Sequence, residues 1–165
     1  ERTMAKKLNS MRILEQHDIV YEAIQYPTEI KDAEEVAEAV GIPYHMVFKT
    51  LVVESAKSNS AKPFLAIIPS DRQLDLKKMA AAAGEKKVQM AAQKDAEKQT
   101  GLQVGGISAL ALTQKNWNVY LDRSASELEH IVMSAGQRGT QLKVHTAAFI
   151  RLVHAQLADI STDIE

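Results

Sequence analysis

Apolar side chains at Leu8, Met11 and Leu14, with Ile13 beside them, recur at near-helical spacing and predict an amphipathic helix over residues 4–16, ended by His17 and Asp18. The pattern then changes to β-branched and aromatic: Val20, Tyr21, Ile24 and Tyr26 predict a strand over residues 19–26, stopped by Pro27. Asp32 with Glu35 three residues on reads as an N-cap with a reciprocal glutamate. Ala33, Val36, Ala37 and Val40 then follow one helix face as far as Gly41. Residues 48–53 read Phe-Lys-Thr-Leu-Val-Val, an apolar and β-branched run without polar alternation, which predicts a strand buried on both faces. A polar stretch over residues 55–62 separates it from Phe-Leu-Ala-Ile-Ile at 64–68, so the two strands are expected to pair as a hairpin or as neighbours.

Further on, Pro69 closes the second strand and a loop over 70–73 leads to a helix over 75–83, with Leu76, Met79 and Ala80 inward and Gly84 as its stop. A brief strand around Val88 and Met90 and a helix over 93–100, capped by Gly101, bring the chain to the pair Gly105 and Gly106. Adjacent glycines mark backbone that bends or is closely approached. Strands are predicted over 117–121, 131–134 and 142–145, a capping box at Ser124 and Glu127, and a turn over 135–140 with Gly136 and Gly139. A last helix over 146–154 is expected to bury Ala148, Phe149, Leu152 and Val153, and the tail 159–165 to fray. Short strands mixed with short helices predict an α+β fold with a mixed, mostly antiparallel sheet that is curved or closed into a β-barrel and surrounded by helices. Residues 4–160 are expected to be a single domain, Met4 to be the start, and residues 1–3 and 161–165 to be flexible ends.

Composition narrows the function more than the fold. The chain has 165 residues, enough for one sizeable core, and at 45% hydrophobic and 25% charged it has an ordinary globular balance. Its net charge of −1 supplies no overall basic field of the kind that binds nucleic acid tightly without sequence preference. The absence of cysteine removes disulfides, thiolate metal sites and a cysteine nucleophile together, and fits a cytoplasmic setting. No secretory leader and no run approaching roughly 18 apolar residues predict neither export nor a membrane partner.

Other chemistries fall on spacing. His17, His45, His130, His145 and His154 stand at no metal-ligand spacing, so no metal is expected. Ser108 lacks the glycine two residues on that a nucleophile elbow needs, and Gly105-Gly106 lacks the rest of a phosphate-binding loop, so no nucleotide cofactor is expected. What remains is Lys49 at the head of its strand and two glycine-bearing turns whose backbone N–H groups could hold an oxyanion. The strand alone leaves two readings of Lys49 open: a stem lying on apolar surface with its ammonium in water, or an ammonium held in a pocket to meet an oxygen.

Tyr26, Phe48-Lys49-Thr50-Leu51-Val52, Thr100-Gly101-Leu102-Gln103-Val104-Gly105-Gly106-Ile107-Ser108 and Ser134-Ala135-Gly136-Gln137-Arg138-Gly139 together resemble, in order and spacing, the YbaK family. These are free-standing relatives of the editing domain inserted in bacterial prolyl-tRNA synthetase. The resemblance runs from about Leu8 to Asp159 and implies a mixed β-barrel ringed by helices. It also implies hydrolysis of amino acids wrongly attached to tRNA, notably cysteine, and in related members alanine, on proline tRNA. By position it implies Lys49 as the essential lysine, Gly105 as the glycine lining the aminoacyl pocket, Ser134 as the serine on the facing hairpin and Tyr26 as an aromatic wall. Thr50, Gly106, Ile107 and Gly136 complete the expected substrate-binding set.

The implied partner is the 3′ acceptor end of an aminoacyl-tRNA, delivered by prolyl-tRNA synthetase because a neutral protein binds tRNA weakly; no DNA partner is implied. The substrate's own thiol or a water activated by the terminal hydroxyl would attack the ester, with Lys49 stabilising charge on the carbonyl oxygen or orienting the tRNA's terminal phosphate. This chain departs from the family's Gly-Gly-Ile-Ser-Pro-Leu-Gly at Ala109 and Ala111, and has Ala135 where the hairpin often has glycine. Those departures bear on loop shape. They leave a non-catalytic tRNA- or synthetase-binding module, and a hydrolase of another small ester, as competing readings.

Overall fold

A computed structural model describes residues 7–57 and 61–165. Its elements are α1 (Asn9–Gln16), β1 (Tyr21–Gln25), α2 (Ala33–Val40), β2 (Phe48–Ser55), β3 (Phe64–Pro69), β4 (Arg72–Leu74) and α3 (Leu76–Ala83). They continue as β5 (Val88–Met90), α4 (Gln93–Thr100), β6 (Val119–Asp122), β7 (His130–Ser134), β8 (Thr140–His145), α5 (Thr146–Val153), β9 (Gln156–Ala158) and β10 (Ser161–Asp163). The N-terminal part of the helix expected over 4–16, and the ends 1–3, lie wholly or partly outside the described residues.

Two sheets carry the fold. The larger has the order β5-β2-β3-β6-β9; β2 is antiparallel to β3 and β5, while β3-β6 and β6-β9 are parallel. The smaller, β1-β8-β7, is antiparallel throughout. A single parallel bridge, Val47 to Val132, seams one to the other. The expected α+β fold with mixed, mostly antiparallel sheets is present, but the closed-barrel form of it is not: among the described residues one bridge rather than a ladder joins the two sheets.

The hairpin of β2 and β3 forms in the register Lys49 to Ile68 and Val52 to Leu65, and every residue of β3 is buried. Alternation of side chains splits the core. Phe48, Val52, Leu65 and Ile67 face the main cluster, which Ile131, Met133, Leu142 and Val144 enter from the smaller sheet and Phe149 from α5. Val53, Phe64, Ala66 and Ile68 face a second cluster closed by Met79 and Ala80 of α3.

Caps follow the sequence at α2, where the Asp32 carboxylate accepts from the Glu35 N–H and Gly41 adopts φ +73°, and at α3, where Asp75 and Gly84 repeat the arrangement. Ser124 and Glu127 do not form a capping box. Asp122 accepts from both the N–H and the hydroxyl of Ser124 and winds residues Arg123–Glu127 into a 3₁₀ turn, the local Asx geometry winning over a helix start. The end expected to fray carries β10, which pairs antiparallel with β4 in the segment expected to be a loop. Arg72 holds it, donating to the Ser161 hydroxyl at 2.7 Å and to Asp163 at 2.7 Å, and Ile160 is fully buried beneath. A pairing between segments so far apart in the chain leaves no local pattern. In α5, Phe149 is buried while Ala148, Leu152 and Val153 are half-buried.

Candidate functional site

Strand β5 covers only Val53–Ser55 of its long neighbour, so among the described residues the outer edge of β2 from Phe48 to Leu51 has no strand partner. A cavity of about 320 Å³ opens along that bare edge. Lys49, Thr50, Gly105, Ile107 and Ser134, from the set expected by sequence, line it together. Lys31, Asp32, Gln93 and Gln141 complete its polar lining.

Lys49 is half-buried, and its ammonium donates to the backbone carbonyl of Ser70 at 3.3 Å. That carbonyl is itself fixed, because the Ser70 N–H donates to Val47 at 2.7 Å and its hydroxyl to Tyr44 at 2.8 Å. One donor position of the ammonium is thus used to aim it. Burial pushes the Lys49 pKa below the usual 10.5, while the charges of Asp32, Glu34 and Asp71 pull in the opposite direction. None of the three comes within salt-bridge distance among the described residues, so the cation is held in a negative surrounding without being neutralised by contact.

The opposite wall is made of the two glycine turns. Gly105 has φ +93°, and a Cβ there would lie 2.8 Å from the Lys31 Cβ and 3.1 Å from the Lys31 carbonyl oxygen. A Cβ on Gly106 would lie 2.9 Å from the Gln137 Cα, so backbone meets backbone where the first turn touches the second. The Arg138 Nε–H donates to the Val104 carbonyl at 2.7 Å and fastens the two turns together. In the second turn the Gly136 N–H donates to the Ser134 hydroxyl at 3.1 Å, which fixes the orientation of that oxygen at the cavity wall.

Gly106, Gly136 and Tyr26 are not in the lining. The two glycines shape the turns behind it. Tyr26 is buried with its N–H donating to the Gly139 carbonyl at 2.9 Å and its hydroxyl without a hydrogen-bond partner among the described residues. Ser108 accepts from the Leu110 N–H and is fully buried, a turn residue away from the cavity.

Lys31 and Gln141 were not visible as site residues in the sequence. Lys31 reaches the cavity because it precedes the N-cap of α2. Gln141 does so because the hairpin register sets it directly across from Ser134. Pairing Ser134 across the turn at 135–140 would have found Gln141. Its Oε1 and the Thr50 Oγ1 are buried without hydrogen-bond partners among the described residues.

The arrangement is a pocket with an aimed cation, the hydroxyl-bearing side chains of Ser134 and Thr50, and glycine-bearing turns on its far side. The chain matches the aminoacyl-tRNA editing domain over residues 27–152 and belongs to that family. Among individual relatives, it is 39% identical over 159 residues to a protein of Enterococcus faecalis (strain ATCC 700802 / V583) provisionally named as the Cys-tRNA(Pro)/Cys-tRNA(Cys) deacylase EbsC, covering 95% of this chain and 94% of that one. Two solved structures share the fold at 21% identity. One is the hypothetical protein APE2540, at a TM-score of 0.84 over 93% of this chain and 99% of that one. The other, described provisionally as a trans-editing enzyme for prolyl-tRNA synthetase, has a TM-score of 0.78 over 96% of this chain and 99% of that one.

Proposed function

We propose that this protein is a trans-editing aminoacyl-tRNA deacylase that removes a wrongly attached small amino acid, cysteine first, from proline tRNA. The observation that carries the reading is the aimed, unneutralised ammonium of Lys49 in a cavity walled by Gly105 and Ser134, within a chain of the aminoacyl-tRNA editing family. The likeness to a provisionally named Cys-tRNA(Pro)/Cys-tRNA(Cys) deacylase supports the choice of substrate.

In this reading the 3′-terminal aminoacyl-adenosine enters along the open edge of β2. The Lys49 ammonium lies against the ester carbonyl oxygen and stabilises the negative charge that grows there, a contribution of about 10²–10³ in rate for a single well-placed donor. The attacking group is the substrate's own thiol, or water. With the thiol, an S–C bond forms as the ester C–O bond breaks, the thiol proton passes to the departing ribose oxygen, and the resulting thiolactone is opened by water. Ser134 and the backbone around Gly105 orient the aminoacyl group, and Thr50 and Ile107 bound its small side chain. No metal or cofactor enters these steps. Prolyl-tRNA synthetase, which generates the mischarged tRNA, is the partner that presents it, and the setting is the cytoplasm, where translation occurs.

The competing non-catalytic reading drew on Ala109 and Ala111. Ala109 is buried in a 3₁₀ turn capped by Ser108, and Ala111 ends that turn half-buried beside Gly136. The turn forms with alanine at both positions, which supports the catalytic reading over the binding-only one. Incubation with Cys-, Ala- and Pro-tRNA(Pro) tests the proposal. Rapid release of cysteine, slower release of alanine and sparing of proline are expected, and binding without turnover of any of the three would contradict it.

A further inference from the structure

The cavity wall holds two polar atoms that the fold leaves without partners. Gln141 is 4% exposed and lines the cavity, yet its Oε1 accepts no hydrogen bond among the described residues. The Thr50 Oγ1, in the same lining, is unpartnered in the same way. Tyr26, Gln99 and Thr146 hold such atoms too, but none of these three lines the cavity. A buried polar atom without a partner costs stability, and the cost is recovered when a ligand supplies the missing bond.

The place of Gln141 follows from strand register. The bridge of Val47 to Val132 is parallel, and both side chains enter a small apolar cluster with Ala37 of α2. Alternation returns to that face two residues further along each strand, at Lys49 and Ser134, and Gln141 stands directly across from Ser134. Lys49, Ser134 and Gln141 therefore form a row from β2 through β7 to β8. The start of α2 covers it, since Asp32, Ala33 and Val36 line the same cavity. Neighbouring strands lie about 4.8 Å apart, so the two ends of the row are roughly 10 Å from each other at the backbone.

The chemistry changes along the row. At one end the Lys49 ammonium is aimed by the Ser70 carbonyl, and in the middle the Ser134 oxygen accepts from the Gly136 N–H, which leaves its O–H as a donor. Both groups suit an oxygen of the ligand. At the other end the Gln141 Oε1 is an acceptor with nothing to accept, and the Thr50 Oγ1 adds a second. Asp32 is the one carboxylate among the lining residues. The Gln141 carboxamide turns about its terminal bond over a broad, roughly twofold profile, and its oxygen holds no hydrogen bond that such a turn would break.

An aminoacyl ester is polar in the same sense. Its carbonyl and ester oxygens accept, and the next carbon carries an α-ammonium with three N–H donors and no acceptor. With the carbonyl at Lys49, the ammonium falls toward the acceptor end of the row.

We propose that Gln141, with the Thr50 hydroxyl, receives the α-ammonium of the bound aminoacyl group, so that the site takes esters with a free amine and refuses N-acylated ones, peptidyl-tRNA among them. The inference rests on the deacylase reading for the ester. Its own support is the pair of unpartnered acceptors in the lining, away from the aimed cation. An acylated nitrogen brings one N–H in place of three, no charge, and an added group that must fit beneath α2. The site thus acts on a mischarged tRNA before its amino acid has entered a peptide bond.

Two measurements test this. The first is calorimetric binding of non-cleavable 3′-amido-3′-deoxyadenosine analogues carrying cysteine, N-acetylcysteine or 3-mercaptopropionate, the last of which keeps the thiol and lacks the amine. The second is kcat/KM for the corresponding esters on proline tRNA. The proteins are the wild type, Gln141→Leu, Gln141→Met, Gln141→Glu and Thr50→Val, each with a thermal melt as a folding control; Gln141→Met keeps the unbranched shape should Gln141→Leu fail to fold.

Wild type is expected to favour cysteine over 3-mercaptopropionate about 10²-fold, with N-acetylcysteine no better than the latter. Gln141→Leu and Gln141→Met should cut that preference about tenfold or more by weakening the amine-bearing ligand alone. Thr50→Val should cut it by a smaller factor, and Gln141→Glu, which keeps an acceptor, should restore it. A merely structural role for Gln141 would weaken all three ligands together and would overturn the proposal. Equal handling of the three by wild type, or a preference that survives in folded Gln141→Met, would also overturn it. If the analogues bind in the expected order but no ester is cleaved, the deacylase reading fails and the amine site stands. If esters with and without the amine are cleaved equally, the deacylase reading stands and the amine site fails.

Discussion

The two walls of the cavity are held by different physics. Lys49 stands on β2, whose neighbour β3 is buried along its whole length, so the lysine's position follows from burial and a ladder of backbone hydrogen bonds. The facing wall is lined by Gly105 and Ser134 and backed by Gly106; Ser134 ends the β7–β8 ladder, but the contact between the two turns has no ladder across it. It is set by close approach between residues remote in sequence: Lys31 on Gly105, Gln137 on Gly106, Thr28 on Gly139 and Arg138 on Val104. A wall made by burial tolerates small shifts because many contacts share them. A wall made by a backbone pressing on a glycine tolerates no added atom.

This difference predicts separable effects on stability and on turnover. Ile67→Ala, behind the strand wall and fully buried, should cost about 2–5 kcal/mol in a denaturant melt while leaving the rate per folded molecule near that of the wild type. Gly106→Ala should cost less, about 1–3 kcal/mol, yet remove most of the activity, because its Cβ at 2.9 Å from the Gln137 backbone must push the two turns apart. Arg138→Gln releases the tie to Val104 and should cost about 1.5 kcal/mol, with a rise in KM larger than any fall in kcat. Gly84→Ala serves as the contrast: it meets open space and bears only the strain of φ +70°, about 1 kcal/mol, with unchanged turnover. If Gly106→Ala and Gly84→Ala behave alike in activity, the distinction between the walls is wrong.

The strand wall was legible in the sequence and the turn wall only in outline. An unbroken apolar run fixes a buried strand by itself, and the caps at Asp32 and Asp75 are local chemistry. The glycine pair announced a close approach without naming what approaches, and Lys31 and Gln137 lie far away or in the other turn. Gln141 enters the cavity through hairpin register, which depends on how the turn at 135–140 closes. The pairing of β4 with β10 and the failure of the sheets to close into a barrel are likewise products of distant pairing, absent from any local pattern.

Titration separates the charge on Lys49 from its packing. Burial holds its pKa below the usual 10.5. Enzyme-catalysed turnover, corrected for spontaneous ester hydrolysis, should therefore fall as pH rises through that lowered value, before an ordinary lysine would lose its proton. Stability should move the other way. Folding penalises the charged form at all pH values below the folded pKa, and the penalty is relieved as pH rises from that value toward 10.5. A urea midpoint series on wild type and Lys49→Met reads this: the alkaline gain should be present in the first and absent in the second.

The central claim is that Lys49 supplies charge and position to an ester held between the two walls, and is not a nucleophile. Single-turnover cleavage of Cys-tRNA(Pro) by Lys49→Ala, with a thermal melt of the same sample, tests it most directly. The expected result is a rate reduced by about 10²–10³ with an unchanged melting transition. An unimpaired rate, or a variant that no longer folds, would contradict it and return Lys49 to a structural role.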